Sequence, residues 1–402
     1  MLRSKSDIVK NNDIEYFLDK ATGDYVAKFE RPDGNSNRLF ILVIDNDVPK
    51  IKYEYRKNRV FSASYLKNGK TYKTIFFNIE GSPYMTQFYK NDGKTGAVFL
   101  HKEGVRFGSV EDFQVYWLNE LALQSDSDNQ VVFLLDYEVQ VDKLAKVKGD
   151  NLRKVAVVHT SHFQNREFYT GIEALHKKMF EYADSGIFND VLFFTQEQAE
   201  DVIADFPNVK ASVIPNQIFR KNKYPKTKND KIVLGTISRI TRGKGFDKMI
   251  DAMKKLPEDQ FELKIWGRGE TEYLTDLIAK SGLKNISFLG YSTNTSKALS
   301  EIDVFVSASR YEAMGLSIAE ALEQGIPVIA MNVKYGPSML VIDEVNGYLI
   351  GNTPEDLADA AMKFARLSEK GKEQMGERAA QYIAKNFSED RFNQYWEEFL
   401  KN

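Results

Sequence analysis

Residues 232–256 are IVLGTISRITRGKGFDKMIDAMKKL. Their pattern predicts one strand, one loop and one helix. The opening IVLGTI is an uncharged, mostly apolar run, as expected of a strand that is buried on both faces. A glycine-containing loop follows, and the apolar residues of DKMIDAMKKL then recur at helical spacing. This unit therefore predicts a parallel sheet covered by helices.

The same unit recurs as far as residue 350. Strands are predicted in FELKIWG, ISFLG, VFVSAS, PVIAM and NGYLI, with helices in TEYLTDLIAKS, SKALSE and LSIAEALEQ between them. Alternation of this kind is typical of a doubly wound sheet, in which ligands bind beyond the carboxyl ends of the strands. We therefore predict a C-terminal Rossmann-like domain over 226–385.

Strands and helices also alternate earlier, over 106–225. The strands are predicted in QVVFLLD, KVAVVHTSHF, DVLFFT and KASVIPN, which is few for a complete doubly wound domain. The polar, basic stretch RKNKYPKTKNDK (220–231) predicts the connection between the two α/β domains. Residues 386–402 predict a helix whose aromatic residues pack back on the first of them.

The first part of the chain, 1–105, has a different pattern. Apolar and polar residues alternate between Asn-Gly, Asp-Gly and Gly-Ser turn signals, which favours an antiparallel meander. The predicted fold class is thus α/β, with two Rossmann-like domains, the first incomplete, and an N-terminal antiparallel sheet module. That module serves either as an oligomerisation surface or as a docking surface.

Composition limits the function classes. The 402 residues include 43% hydrophobic residues, enough for large cores, and carry a net charge of −2. Such a balance predicts no nucleic-acid partner. The chain has no cysteine, which excludes disulfides and thiolate metal sites. The first residues contain no apolar core of signal-peptide length, and no run of about 18 apolar residues occurs, so neither secretion nor membrane spanning is expected.

Two cations follow the first strand of the later domain. Arg239 and Lys244 lie in SRITRGKGFD, where a loop opening a helix aims amide N–H groups and positive charges at one anion, such as a diphosphate. Such a loop is also compatible with an ordinary solvated surface. Gly267, in GRGE (267–270), either flanks the same ligand or forms a plain turn.

A second cluster lies in SRYEAMGLSIAEALEQGIPVIA (309–330). Glu312 ends a strand and Glu320 lies in the next helix, so two carboxylates could accept hydrogen bonds from two diols, such as a sugar and a ribose. Between them, Met314, Gly315 and Leu316 present amides at a helix N-terminus. Because both clusters follow strands of one sheet, a shared ligand site is favoured over two solvated loops.

Together with VIPN (213–216) and KYGPS (334–338), these two clusters resemble the retaining glycosyltransferases of family four, which have two Rossmann domains. The N-terminal meander, beginning DIEYFLDKATGDYVA, is similar to that of the Gram-positive branch that modifies wall teichoic acid or serine-rich adhesins. Relative to that family, Met1 falls almost at the inserted sheet. The start of the first Rossmann domain is therefore expected to be missing.

The resemblance implies a role for each matched residue. Arg239 and Lys244 would neutralise the diphosphate of a UDP-sugar, aided by amides of Met314, Gly315 and Leu316. Glu312 would bind the transferred sugar and Glu320 the ribose. His162, or His159 under another alignment of VVHTSHF, would lie near the anomeric carbon.

The implied enzyme is a retaining, metal-independent hexosyltransferase of the GT-B fold. It would move GlcNAc or glucose from a UDP-sugar, with no cofactor, to a hydroxyl of teichoic acid or of a Ser/Thr-rich protein. The alternative is a catalytically silent acceptor-binding subunit; a glycoside hydrolase suits the spacing of Glu312 and Glu320 poorly. Partners through the sheet module would be a second copy or another glycosyltransferase subunit, in the cytoplasm or at the inner membrane face.

Overall fold

The structure of the protein is a computed structural model. It describes residues 6–11, 14–19, 25–30, 38–45, 48–57, 59–123, 130–219 and 222–401. These form two compact units. The first comprises residues 1–129 and 146–151, and the second comprises 130–145 and 152–402.

The first unit contains one antiparallel sheet of ten strands, each paired with its neighbour in sequence. The strands β1 to β10 are Ser6–Asn11, Ile14–Asp19, Tyr25–Glu30, Arg38–Asp45, Val48–Arg56, Arg59–Lys67, Lys70–Phe77, Pro83–Tyr89, Thr95–Leu100 and Val105–Phe107. Asn68 and Gly69 both adopt positive φ, as expected of the Asn-Gly hairpin turn. The predicted turn in RPDGNSN (31–37) lies outside the described residues.

Helix α1 (Val110–Leu123) belongs to this first unit. Phe113 and Tyr116 on this helix pack their rings against Phe107 of β10, with ring centroids 5.7 and 5.0 Å away. The sequence pattern predicts an α/β region that starts at residue 106, whereas the structure includes this helix in the first unit. Aromatic packing on the adjacent strand explains the difference.

The second unit begins with a parallel sheet of four strands in the order β11–β12–β15–β16. These are Val131–Leu135, Leu152–Val157, Asp190–Phe193 and Ala211–Val213, and a hairpin of β13 (Phe163–Asn165) and β14 (Thr170–Ile172) lies between them in sequence. The helices are α2 (Val141–Lys146), α3 (Ala174–Asp184) and α4 (Gln196–Asp205). The prediction of a small first Rossmann-like domain with four strands is confirmed.

The later sheet has six parallel strands in the order β19–β18–β17–β20–β21–β22. In chain order, β17 to β22 are Ile232–Ile237, Phe261–Trp266, Ile286–Phe288, Val304–Ser307, Val328–Met331 and Gly347–Ile350. The helices α5 to α10 are Phe246–Met253, Thr271–Ser281, Thr295–Leu299, Leu316–Glu323, Pro337–Leu340 and Pro354–Ala365. Strand order reverses between β17 and β20, which is where such sheets bind ligands.

Two final helices, α11 (Glu369–Asn386) and α12 (Glu389–Lys401), lead back towards the first Rossmann-like sheet. Phe399 of α12 is buried with Val155 and Leu192 from that sheet. Arg153 donates hydrogen bonds to Asp190 (2.7 Å) and to the Phe399 carbonyl (2.9 Å), so a buried ion pair holds the helix end in place. Within the described residues, no helix is both long enough and apolar enough to cross a membrane.

Candidate active site

The loops that follow β17 and β20 meet at the point where the strand order reverses. Gly245 ends the first loop with φ +66°, and a Cβ atom there would lie 1.9 Å from the carbonyl oxygen of Ala308 in the second loop. Only glycine fits this backbone without displacing the facing loop. The close approach brings both sequence clusters to one place.

The two predicted charges of opposite sign form a direct pair. Lys244 Nζ donates to Glu312 Oε1 at 2.5 Å, and Ser309 Oγ donates to the same oxygen at 2.7 Å. The side chains of Lys244 and Glu312 are 20% and 12% exposed, so both groups are largely sheltered from water yet reachable. The second oxygen of Glu312 forms no hydrogen bond within the described residues, which leaves an acceptor for a ligand hydroxyl.

The backbone of Glu312 is held by the KYGPS segment. Glu312 N–H donates to the Lys334 carbonyl (2.9 Å), and Tyr335 N–H donates to the Glu312 carbonyl (2.7 Å). Tyr335 is 1% exposed, and its hydroxyl donates to Asp201 of the first Rossmann-like domain (2.9 Å). The orientation of Glu312 is thus set by contacts from both Rossmann-like domains.

The N-terminus of α8 provides amide donors beside this ion pair. Gly315 adopts φ +85° and precedes the helix, while Leu316 is its first residue. The amides of Met314, Gly315 and Leu316 donate no hydrogen bond within the part of the chain that the structure describes. Unpaired amides and the helix dipole favour an anionic ligand at this end.

These groups line one cavity of about 370 Å³, a volume typical of small-molecule sites. Its lining residues are His159, Thr160, Ser161, Phe194, Asn216, Ile237, Ser238, Arg239, Thr241, Gly243, Lys244, Tyr311, Glu312, Ala313, Met314, Gly315, Leu316 and Ser317. Arg239 is exposed and forms no hydrogen bond or ion pair with another described residue. The structure therefore brings Arg239, Lys244 and Glu312 together, with the three amides alongside.

Two hydroxyl groups in this wall were missed by the sequence analysis. Ser161 Oγ and Ser238 Oγ are buried and form no hydrogen bond with a described residue. Buried polar atoms rarely stay without a partner in native proteins, so these hydroxyls fit the binding of a polar ligand. Ser238 directly follows β17, and this position at a strand end was the only feature of the sequence that could have indicated a place in the cavity wall.

The two histidines of VVHTSHF differ in position. His159 lines the cavity and its Nε2 lies 2.6 Å from Asp136 Oδ1. His162, the first choice of the sequence analysis, does not line the cavity: it is 2% exposed, and its ring stacks on Tyr335. The chain turns sharply after β12, and this turn sends the second histidine inward.

Two further predicted residues also lie off the cavity wall. Gly267 N–H donates to the Gly290 carbonyl at 2.9 Å, and a Cβ atom at Gly267 would lie 2.1 Å from the Ser238 carbonyl oxygen. Gly267 therefore allows two loops to pack, rather than facing the cavity. Glu320 is half-buried within α8 and does not line the cavity either. Its contact with a ribose stays a prediction.

Burial gives His162 a pH-dependent contribution to stability. Burial lowers its pKa from 6.5 to about 4, helped by the charges of His176 and Lys334 and opposed by Asp201. The unfolded chain binds the proton at higher pH than the folded chain, so this contribution is present above pH 6.5 and is lost as the pH falls towards 4. The free energy of unfolding in urea should therefore fall less between pH 6.5 and pH 4 in His162→Phe than in the wild type. The expected difference is roughly 3 kcal/mol.

A control for this prediction is Phe163→Leu. Phe163 packs on His162, with ring centroids 4.3 Å apart, but carries no titratable group. The Phe163→Leu variant should change the free energy of unfolding by the same amount at both pH values. An unchanged pH dependence in His162→Phe would contradict the prediction.

The chain is similar to known proteins in sequence and in fold. Residues 217–382 match the family model described as Glycosyl transferases group 1. A poly(ribitol-phosphate) alpha-N-acetylglucosaminyltransferase of Staphylococcus aureus is 26% identical, over 98% of this chain and 80% of that protein. A UDP-N-acetylglucosamine–peptide N-acetylglucosaminyltransferase GtfA subunit of Streptococcus agalactiae is 25% identical, over 98% and 79%. The crystal structure of TarM superposes with a TM-score of 0.84 at 24% identity, covering 99% of this chain and 80% of that chain.

The fold and the family match thus define a glycosyltransferase of the GT-B fold. The chain is related to the wall teichoic acid and serine-rich protein glycosyltransferases, as the resemblance in its motifs predicted.

Proposed function

We propose that the protein transfers GlcNAc or glucose from a UDP-sugar to a hydroxyl of a polymeric acceptor, with retention of the α configuration. The observation that carries this proposal is the pair of Lys244 and Glu312 in one cavity with the amides at the start of α8. In a sugar nucleotide the anomeric phosphate and the ring hydroxyls are close neighbours. A cation and a carboxylate in direct contact suit both parts of such a ligand.

The positively charged groups and Glu312 would act on different parts of the sugar nucleotide. Arg239, Lys244 and the amides of Gly315 and Leu316 would stabilise the negative charge that develops on the departing UDP. The acceptor oxygen would bond to the anomeric carbon on the face that UDP leaves, while the bond from that carbon to the phosphate oxygen breaks. The acceptor proton would pass to the departing phosphate. Glu312 would hold the sugar by a hydroxyl.

In this proposal the positively charged side chains of Arg239 and Lys244 stabilise the diphosphate, so no metal ion is needed for that purpose. Within the described residues, no group of three His, Asp or Glu side chains is placed to hold a metal ion. We further propose that His159 contacts the sugar and that Glu320 binds the ribose. Metal independence, the lack of a cofactor and these two contacts are parts of the proposal that ligand binding can test.

The relatives supply the acceptor classes. One of them is named for poly(ribitol-phosphate) and another for a peptide. We propose one of these two classes as the acceptor, with the antiparallel sheet as the surface for docking or for assembly. Assembly with a second copy or another glycosyltransferase subunit, and a location in the cytoplasm or at the inner membrane face, stay predictions.

The test is Glu312→Gln. This change keeps the size of the side chain but removes the charge that pairs with Lys244, so sugar transfer from UDP-GlcNAc or UDP-glucose should fall at least 100-fold. Transfer is measured as UDP release with teichoic acid or a Ser-rich peptide present.

A matched control is Glu301→Gln. Glu301 also pairs with a lysine, Lys264, at 3.3 Å, but lines no cavity described here. This variant should keep near wild-type turnover. Wild-type turnover in Glu312→Gln would reject the assigned role, and a wild-type protein that binds acceptor without releasing UDP would indicate a silent subunit instead.

A further inference from the structure

A second cavity of about 760 Å³ adjoins the first. Gly243 and Tyr311 line both cavities, and Tyr311 lies against Gly243 as the wall between them. Residues 164–167, which are the last two residues of β13 and the two that follow it, also line the second cavity. A molecule bound there would be a direct neighbour of the proposed sugar site.

Three arginines and two carboxylates line this second cavity. Arg310 engages both carboxylates, donating to the two oxygens of Asp247 at 3.1 and 2.7 Å and to Glu167 at 3.1 Å. Burial opposes ionisation of Asp247, but the hydrogen bonds and charge of Arg310 outweigh it and lower the Asp247 pKa. Arg310 therefore offsets one of the two negative charges, and the other two arginines, with two positive charges, leave an excess of positive charge among the side chains that line the cavity.

The other two arginines, Arg166 and Arg242, keep their charge available. Arg166 lies over the ring of Tyr311 at 5.2 Å, and Arg242 over the ring of Tyr273 at 4.6 Å. Arg166 forms no ion pair with another described residue. Arg242 is 4.0 Å from Glu270, and both of these side chains are more than half exposed, so that contact is weak.

Stacking on a ring orients a guanidinium without using its N–H donors. Cation–π contacts restrict the planar group, and its five donors stay free for an anion. Arg166 and Arg242 come from different Rossmann-like domains and line the same cavity. Two such groups suit an anion that accepts several hydrogen bonds. A phosphate is an anion of this kind, because it accepts several charge-assisted hydrogen bonds at once.

We propose that this second cavity binds a phosphate group of the acceptor through Arg166 and Arg242, which makes the acceptor a polyol phosphate. The inference rests on the proposed function, because it names the acceptor for that transfer. In a polyol phosphate each hydroxyl lies a few bonds from a phosphate. A phosphate held beside Arg166 and Arg242 would present a neighbouring hydroxyl across Tyr311 to the donor cavity.

Kinetics with Arg166→Gln, Arg242→Gln and the double variant test this assignment. For a short glycerol phosphate or ribitol phosphate oligomer, each single change should raise KM about tenfold, the usual weight of one charge-assisted contact. The kcat, and the slow hydrolysis of UDP-sugar without acceptor, should stay close to wild type. With free glycerol, which has no phosphate, KM should not change.

A matched control is Arg391→Gln. Arg391 also lies over a tyrosine ring, Tyr395, at 5.1 Å, but lines neither cavity. The inference is overturned if the arginine variants leave KM for the oligomer unchanged. It is also overturned if KM for glycerol, or KM for a Ser-rich peptide, rises as much as KM for the oligomer.

Binding of the oligomer without donor separates this inference from the proposed function. Calorimetric titration should show about tenfold weaker binding by each arginine variant than by the wild type. That result would support the phosphate site even if no UDP-sugar were turned over. Equal binding by wild type and variants would overturn it, whatever the activity.

Discussion

Replacing Lys244 with Ala is expected to lower the rate of sugar transfer by about 10²- to 10³-fold, the usual effect of removing one donor that stabilises developing negative charge. The ammonium group is 20% exposed and touches Glu312, so its charge acts in partly dry surroundings. Its loss also leaves the Glu312 carboxylate with only the Ser309 hydroxyl as a hydrogen-bond partner among the described residues. The measurement is kcat for UDP release at saturating acceptor.

The control for this change is Lys264→Ala. Lys264 pairs with Glu301 at 3.3 Å and is 16% exposed, which matches the burial of Lys244, but it lines no cavity described here. Its loss should affect stability rather than kcat. If Lys244→Ala folds normally and keeps kcat within a factor of three of wild type, the leaving-group role assigned to this residue is wrong.

Gly245→Ala is expected to have a comparably large effect, through geometry rather than charge. The new Cβ atom would lie 1.9 Å from the Ala308 carbonyl oxygen, in a backbone with φ +66°. The loops after β17 and β20 must then separate, and Lys244 moves away from Glu312. We expect at least about 2 kcal/mol of lost stability, together with donor binding weakened more than tenfold.

The control Gly282→Ala measures the cost of placing alanine at positive φ where the new Cβ atom meets no other atom. Gly282 also has positive φ, +71°, at the end of α6, but a Cβ atom there would meet nothing within 4 Å. Urea unfolding and UDP-sugar titration of both variants measure the difference. Equal losses of stability in the two variants, with normal donor binding in Gly245→Ala, would show that the close approach of the loops does not matter.

The ion pair of Lys244 and Glu312 gives each of these two largely buried charges a partner of opposite sign. Each group partly offsets the burial of the other, and Ser309 adds a hydrogen bond to Glu312. A diphosphate would replace Glu312 as the partner of Lys244, while a sugar hydroxyl would replace Lys244 as the partner of Glu312. Exchange of partners avoids leaving either charge buried alone, which is the costly alternative.

Local sequence patterns were enough to predict the strands and the two motif loops. Apolar runs such as IVLGTI and the helical spacing after them depend on nearby residues alone, and the doubly wound order brings loops after β17 and β20 together. Arg239, Lys244 and Glu312 were therefore predictable as neighbours. Their types already indicated a ligand with negative charge and hydroxyl groups.

Tertiary structure decided which side chains face the cavity. His159 and His162 are three residues apart, and only the turn after β12 places the first at the cavity and the second against Tyr335. Likewise, Arg166 and Arg242 are far apart in sequence and line one cavity only because two domains meet there. Helix α1 joined the antiparallel sheet for the same reason. Such contacts depend on residues distant in the chain, whereas local periodicity reports only on neighbours.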